Sequence, residues 1–279
     1  MRFAINTPNF GHYSDPRLMM EMAREAEDAG WDGFFIWDHM LWAWPENYPV
    51  ADPYVLLAAM VAATTTIKLA PIVTPIPRRR PWKLAREVTT LDHLSQGRFI
   101  LGVGIGGDWF GDYSRFGEQY DEKAHGEMLD EGLDVLSGLW SGESFSYEGQ
   151  HYKIKNTQFL PKPVQQPRVP VWVAGMWPNK KPFRRAARWD GIVPLRADSH
   201  TLTPDDHRSI GAYILEHRTS GDPFDHVHTG WMERKDAGRD AEIVAEYSDA
   251  GVTWWSDGVG AEEPLEQTRE RICLGPPRL

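Results

Sequence analysis

The chain has 279 residues, 41% of them hydrophobic, which suits one large α/β domain or two small ones. A formal net charge of −10 argues against nucleic-acid binding and membrane-surface attachment, both of which need broad positive potential. Cys273 is the only cysteine, which excludes an intrachain disulfide; no apolar run nears the ~20 residues of a membrane helix and no signal-like stretch opens the chain, so a cytoplasmic setting is expected.

In chain order, "RFAINT" (2–7) reads as a strand. "DPRLMMEMAREAEDAG" (15–30) reads as a helix, with Asp15 as N-cap, Pro16 at the first helical position and Gly30 as C-cap. "GFFIWD" (33–38) is a second apolar run, "PYVLLAAMVAATT" (53–65) a helix, "IKLAPIVT" (67–74) a third strand and "RPWKLAREVTTLDHLSQG" (80–97) a helix ending at glycine. "RFILGVGIGG" (98–107) is a fourth strand running into glycines. An excursion follows: an amphipathic helix over 122–142, then a hairpin or loop over 145–163 turning at Glu148-Gly149. Strands at 170–175, 190–195, 224–231 and 252–258 then alternate with helices at 181–189, 204–219, 238–251 and 263–275.

Eight strand–helix units, with strands apolar on both faces, match a single (β/α)₈ barrel carrying an insertion at about 108–165, after the fourth strand. A doubly wound sheet is the alternative, but no GxGxxG opens the first turn, and "GVGIGG" (102–107) follows the fourth strand with no ribose-binding acid ~20 residues on.

A barrel places its active site at the carboxyl ends of the strands. There the sequence sets Asp38-His39, Thr74-Pro75, Gly104 to Asp108, Gly175-Met176 and Asp257. This mouth is rich in glycine and tryptophan and poor in carboxylates, a composition that suits a planar ligand more than a metal ion. His226 and His228, two apart on one strand face, form the one pattern that could chelate zinc. The other strand tips lack matching ligands, so no metal is expected.

"AEDAGWDGFFIWDHM" (26–40), "IKLAPIVTPIPRRRPWKLAREVTTLDHLSQGRFILGVGIGG" (67–107), "YSRFGE" (113–118), "PVWVAG" (170–175), "AARWDGIVPL" (186–195) and "AGVTWWSDG" (250–258) together give the chain its resemblance to the luciferase-like monooxygenase family. That family includes FMN-dependent monooxygenases and coenzyme F420-dependent oxidoreductases. The resemblance implies a flavin or deazaflavin in the mouth, its ring against the second to fourth strands. It also implies a small-molecule substrate partly covered by the insertion, a homodimer and, for FMN chemistry, a separate flavin reductase.

The same resemblance assigns roles to residues. Asp38 and His39 would contact the ring and handle protons, and a histidine can do so near neutral pH while an acid fixes its tautomer. "APIVTP" (70–75) matches a segment whose backbone bulge, often with a non-prolyl cis peptide, backs the ring, with Thr74 bonding the ring edge. Gly104, Gly106 and Gly107 would allow close approach, and Ala174, Gly175 and Met176 would hold the phosphate on free amides at the next helix. Trp42, Trp44, Trp109 and Trp177 fall in mouth loops and would wall the substrate pocket, whereas Trp82 and Trp140 lie in helices and are expected in the core. Arg78, Arg79 and Arg80 could bind an anionic part of the ligand or pair with acids of a neighbouring subunit. In the F420-dependent sugar-phosphate dehydrogenases a glutamate follows the strand-four glycines; here Gly107 stands there, with Asp108 as the nearest substitute, so sugar-phosphate oxidation is not expected. Three functions remain open: an FMN-dependent monooxygenase, an F420-dependent hydride-transfer enzyme and a non-catalytic flavin-binding barrel.

Overall fold

A computed structural model describes residues 1–42, 47–198 and 200–277. The strands are β1 (Arg2–Thr7), β2 (Gly33–Ile36), β3 (Lys68–Pro71), β4 (Thr74–Pro75), β5 (Leu101–Gly104), β6 (Ser144–Glu148), β7 (Lys153–Gln158), β8 (Val171–Trp177), β9 (Gly191–Arg196), β10 (Asp225–Gly230) and β11 (Trp254–Gly258). The helices are α1 (Pro16–Asp28), α2 (Pro53–Ala63), α3 (Pro81–Ser95), α4 (Glu122–Trp140), α5 (Lys180–Ala186), α6 (Pro204–His217), α7 (Ala237–Asp249) and α8 (Leu265–Cys273).

Nine strands form one parallel sheet in the order β3-β2-β1-β11-β10-β9-β8-β5-β4. Its ends meet: Ile100 N donates to Leu69 O at 3.0 Å, and Thr74 pairs with Val103. The expected third strand is therefore one strand in two pieces, β3 and β4, interrupted at the cis Ile72–Val73 peptide. The result is a (β/α)₈ barrel.

Residue parity fills it. Phe35, Trp172 and Trp254 pack inside with ring centroids 5.5–5.6 Å apart, beside Ala4, Ala70, Ile100, Val193 and Val227. Small residues on some strands make room for three large rings from others, so the barrel is a packed core. The alternate residues, such as Ile5, Phe34 and Trp255, face the helices. Arg98 ties that outer layer together: its guanidinium donates to the carbonyls of Val61, Thr64, Ile67 and Ser95, at the ends of α2 and α3. Asp15 caps α1 and Asp52 caps α2, each preceding a proline at the first helical position.

The excursion divides. Residues 108–121 stay at the mouth, whereas the β6–β7 hairpin lies against α4. Glu131 of α4 accepts from the backbone N–H groups of Gln150, His151 and Tyr152 at the hairpin turn. Phe145 fills the gap left by Gly138. Those contacts fasten the hairpin to the helical flank, not over the substrate side. Trp140 is buried as expected, but Trp82 is 37% exposed, edge-on to Tyr152 with Arg80 over its ring.

Candidate functional site

At the tip of β2 the chain turns out of the barrel wall and presents Asp38 and His39. Asp38 is 4% exposed, and its carboxylate is saturated. Arg78 donates to Oδ1 at 2.5 Å, while Arg79 and Thr74 donate to Oδ2 at 2.8 and 2.9 Å. Thr74 in turn bonds the Tyr54 hydroxyl at 3.0 Å, and the Arg79 guanidinium lies over the Tyr54 ring. A buried carboxylate needs such compensation, because an unpaired one would carry a large desolvation cost.

The second carboxylate is Asp112. Its Oδ1 accepts from Met40 N at 2.7 Å and Leu41 N at 3.2 Å, and Arg78 Nη1 lies 3.2 Å from the same oxygen. Its Oδ2 bonds His39 Nδ1 at 3.1 Å. Burial pushes the Asp112 carboxyl up, but hydrogen bonds from His39 and Met40 and the charges of His39 and Arg78 outweigh it, leaving the group below its ordinary value. A ladder of alternating charge runs Arg79–Asp38–Arg78–Asp112 and ends on the imidazole. Asn9 pins the His39 backbone from the end of β1, donating to His39 O at 2.9 Å and accepting from His39 N at 3.2 Å. Phe10, Trp37, Trp42 and Phe110 stand edge-on to the ring. The Nε2 atom has no hydrogen-bond partner among the described residues.

This arrangement revises two expectations. Asp38 does not orient His39; Asp112, which no motif singled out, does so across 73 positions of sequence. Arg78 and Arg79 pair with acids of their own chain; Arg79 donates to Asp38 through Nη2, while its Nε has no hydrogen-bond partner among the described residues.

Beside this ladder the sheet order β8-β5-β4 brings Thr74, Gly104, Gly106, Gly107, Ala174 and Met176 together. Inner positions here carry almost no side chain. A Cβ on Gly102 would stand 2.2 Å from Pro71 O, and one on Gly104 would stand 2.9 Å from Val73 Cγ2 and 3.5 Å from Ala174 Cβ. Gly106, at φ +75°, carries the chain into the loop, where the Tyr113 and Tyr120 hydroxyls hold the carbonyls of Ile105 and Gly106. Gly107 packs under the Trp109 indole. Thr74 is fully buried and its hydroxyl is already shared between Asp38 and Tyr54.

Other candidates lie elsewhere. Gly175 faces outward: a Cβ there would stand 2.7 Å from Pro182 Cβ and 3.2 Å from Phe183, so the missing side chain serves strand-to-helix packing. Trp177, of the same parity, packs edge-on against Phe183 with the Lys180 ammonium over its ring, not in the pocket wall. Asp108 accepts from Tyr113 N at 2.8 Å and Ser114 N at 3.1 Å. The Ser114 side chain and those amides hold its carboxyl below the ordinary value, and Asp108 caps the turn that follows. Trp109 is 71% exposed; Trp42 stacks on Phe10 at 4.2 Å; Trp44 lies outside the described residues.

His226 and His228 point away from the mouth, toward α6. His207 bridges them, with Nδ1 2.9 Å from His226 Nε2 and Nε2 2.9 Å from His228 Nδ1. The imidazoles bond one another rather than converging on a point. Among the described residues no group of three or more His, Cys, Asp or Glu could hold a metal ion, and no helix is long and apolar enough to cross a membrane.

A closed parallel barrel with its polar network at the strands' carboxyl ends defines a (β/α)₈ protein whose site sits in the mouth. The sequence profile of the luciferase-like monooxygenases matches residues 1–197, and the chain belongs to that oxidoreductase family. The oxygenase component of a flavin-dependent trigonelline monooxygenase from Acinetobacter baylyi is 28% identical over 166 residues, which cover 59% of this chain and 44% of that protein. The chain thus spans less than half the length of that relative. A coenzyme F420-dependent tetrahydromethanopterin reductase from Methanopyrus kandleri superposes with a TM-score of 0.77 at 18% identity, covering 98% of this chain and 96% of that one. The monooxygenase RslO1 from Streptomyces bottropensis does so with a TM-score of 0.75 at 19% identity, covering 98% and 97%. At such identities the likeness concerns the fold.

Proposed function

We propose that this protein is an oxidoreductase that binds a flavin-type cofactor in the barrel mouth and acts on a small organic molecule, with His39 as its proton-handling residue. FMN-dependent monooxygenation is the first reading, and hydride transfer with F420 is the alternative. One observation carries the reading: the buried ladder Arg79–Asp38–Arg78–Asp112 ends on an imidazole tethered at Nδ1 only.

The residues fit the group. An isoalloxazine or deazaflavin ring is flat and apolar on its faces, and Ile72, Val73 and Ala174, half-buried on the inner cluster with Val73 seated against Gly102 and Gly104, provide an apolar surface on which one can lie. When bound, the cofactor supplies the redox chemistry. The protein supplies position and protons. Asp112, held below its ordinary value by hydrogen bonds from His39 and Met40 with the charge of Arg78 beside them, fixes His39 in one orientation through Nδ1, which leaves Nε2 free to give or take a proton. The aromatic rings around His39 confine the imidazole on its sides and leave it partly open to the mouth.

Titration of the purified protein with FMN and with F420, followed by absorbance and fluorescence, tests the cofactor. Saturable binding of one below about 100 μM is expected, and binding of neither would end the reading. His39→Gln should keep that affinity within a few-fold while lowering turnover by roughly 10²–10⁴, the usual worth of one general acid–base group.

A further inference from the structure

The mouth has two unlike halves. Along β10, β11 and β1, the inner residues of the aromatic layer are Val227, Trp254 and Ala4. Two residues further along each strand, and therefore one layer nearer the mouth, stand Thr229, Ser256 and Asn6. Thr229 and Ser256 are register partners on adjacent strands, and Asn6 lies on the next strand, level with Gly258. Opposite them the wall is apolar or bare, with Val73, Gly102, Gly104 and Ala174.

All three polar side chains carry an oxygen shut off from solvent with no hydrogen-bond partner in the described protein: Asn6 Oδ1, Thr229 Oγ1 and Ser256 Oγ. Valine or alanine would fill these positions at no such desolvation cost, as Val227, Val193 and Ala4 do one layer below. Nothing in the barrel wall uses the three oxygens.

We infer that Asn6, Thr229 and Ser256 form a subsite for an uncharged hydrogen-bonding group of the second reactant: a hydroxyl, carbonyl or carboxamide. The chemistry follows from the donors. An asparagine carbonyl accepts, and two hydroxyls both donate and accept. The three inner positions carry no charge, so a carboxylate or ammonium would lose its hydration without a counter-charge. The subsite faces the apolar surface of Val73 and Ala174 across the mouth, which places the polar end of a substrate opposite the ring. This inference rests on the flavin reading for the identity of the ring, while its own test does not.

Saturation-transfer NMR measures the binding of benzamide, benzyl alcohol and benzoate to the protein, with and without FMN, and FMN affinity is measured separately. The two neutral probes are expected to bind at least tenfold more tightly than benzoate in both forms. Ser256→Ala and Thr229→Val should each weaken the neutral probes about fivefold, the worth of one hydrogen bond, and leave FMN affinity within twofold. Melting temperatures of both variants should stay level or rise, because the lost oxygens had no partner in the protein. Equal binding of benzoate, no binding of the neutral probes, unchanged probe affinity in the variants, or a fall of several degrees in melting temperature would each overturn the subsite. Failure of FMN and F420 to bind would remove the flavin reading instead, and the probe titration without FMN would still decide the subsite.

Discussion

At the β2 tip four side chains share two buried carboxylates: Arg78, Arg79 and Thr74 on Asp38, and Arg78 and His39 on Asp112. Each is a charge-assisted contact in a dry setting, where losing one partner costs more than the pair gains. Asp112→Asn removes the charge that answers Arg78 and weakens the acceptor for two backbone amides, so about 1.5–3 kcal/mol of stability should be lost in urea unfolding. Because the folded-state pKa of Asp112 is lowered, its contribution is fully present above the unfolded carboxyl value of ~3.9 and is lost as pH falls through the folded one. The variant should accordingly differ most from wild type near neutrality and converge on it in acid. An equal difference at every pH would assign the loss to packing. Turnover should fall with cofactor affinity preserved, since Asp112 positions His39 and need not touch the ring.

Between β10 and α6 the histidine chain makes a different demand. Burial, and then a neighbouring imidazole, lowers His207, His226 and His228 to about 3, so all three stay neutral in the fold. An unfolded histidine titrates near 6.5, so stability is complete above that pH and falls as pH drops from about 6.5 toward 3, by about 1.4 kcal/mol per pH unit for each histidine. Asp257, pushed up to about 6 by burial, and Asp225, also raised by burial, work in the opposite direction above about 4, so the net slope there is less than that of three histidines. Urea midpoints measured at pH 8.5, 7.5 and 5.5 should be level between the first two and drop clearly at the third. A flat profile would mean that water reaches the triad. At the next strand-to-helix contact, Gly175→Val drives a side chain into Pro182 and Phe183 of α5. Such overpacking costs about 1–3 kcal/mol. A lower melting temperature with unchanged cofactor affinity is expected, and the reverse pattern would place a phosphate at this turn.

For the whole molecule, the three rings of Phe35, Trp172 and Trp254 are the plug on which the mouth rests. Trp172 is fully buried, and its truncation to alanine leaves a void that the surrounding strands cannot close without losing their hydrogen bonds. A loss of about 3–5 kcal/mol is expected from chemical denaturation. A smaller loss, under about 1 kcal/mol, would show that the barrel collapses around the gap and that the floor of the mouth is soft.

The sequence by itself determined the architecture. Alternating apolar runs and amphipathic helices, with acids and prolines at helix starts and glycines at helix ends, are local signals, and they marked eight strand–helix units and hence the end of the barrel where a site belongs. It also marked Asp38 and His39, because an acid and a histidine at the end of an apolar strand stand out by contrast. Pairings across the fold were another matter. Asp112 reaches His39 and Arg78 only because the loop after β5 folds back onto the tip of β2, and Arg78 reaches Asp38 only because β4 runs beside that tip. Spacing along the chain carries no trace of that contact. Facing was likewise decided in three dimensions: one residue of parity turns Gly175 and Trp177 toward α5 while Ala174 and Met176 look inward, and the run "AGMW" reads the same either way. The polar oxygens of Asn6, Thr229 and Ser256 look like ordinary strand residues until the barrel closes and leaves them without partners. Propensity and periodicity act within a few residues, whereas burial, charge pairing and unmet hydrogen bonds belong to the closed sheet.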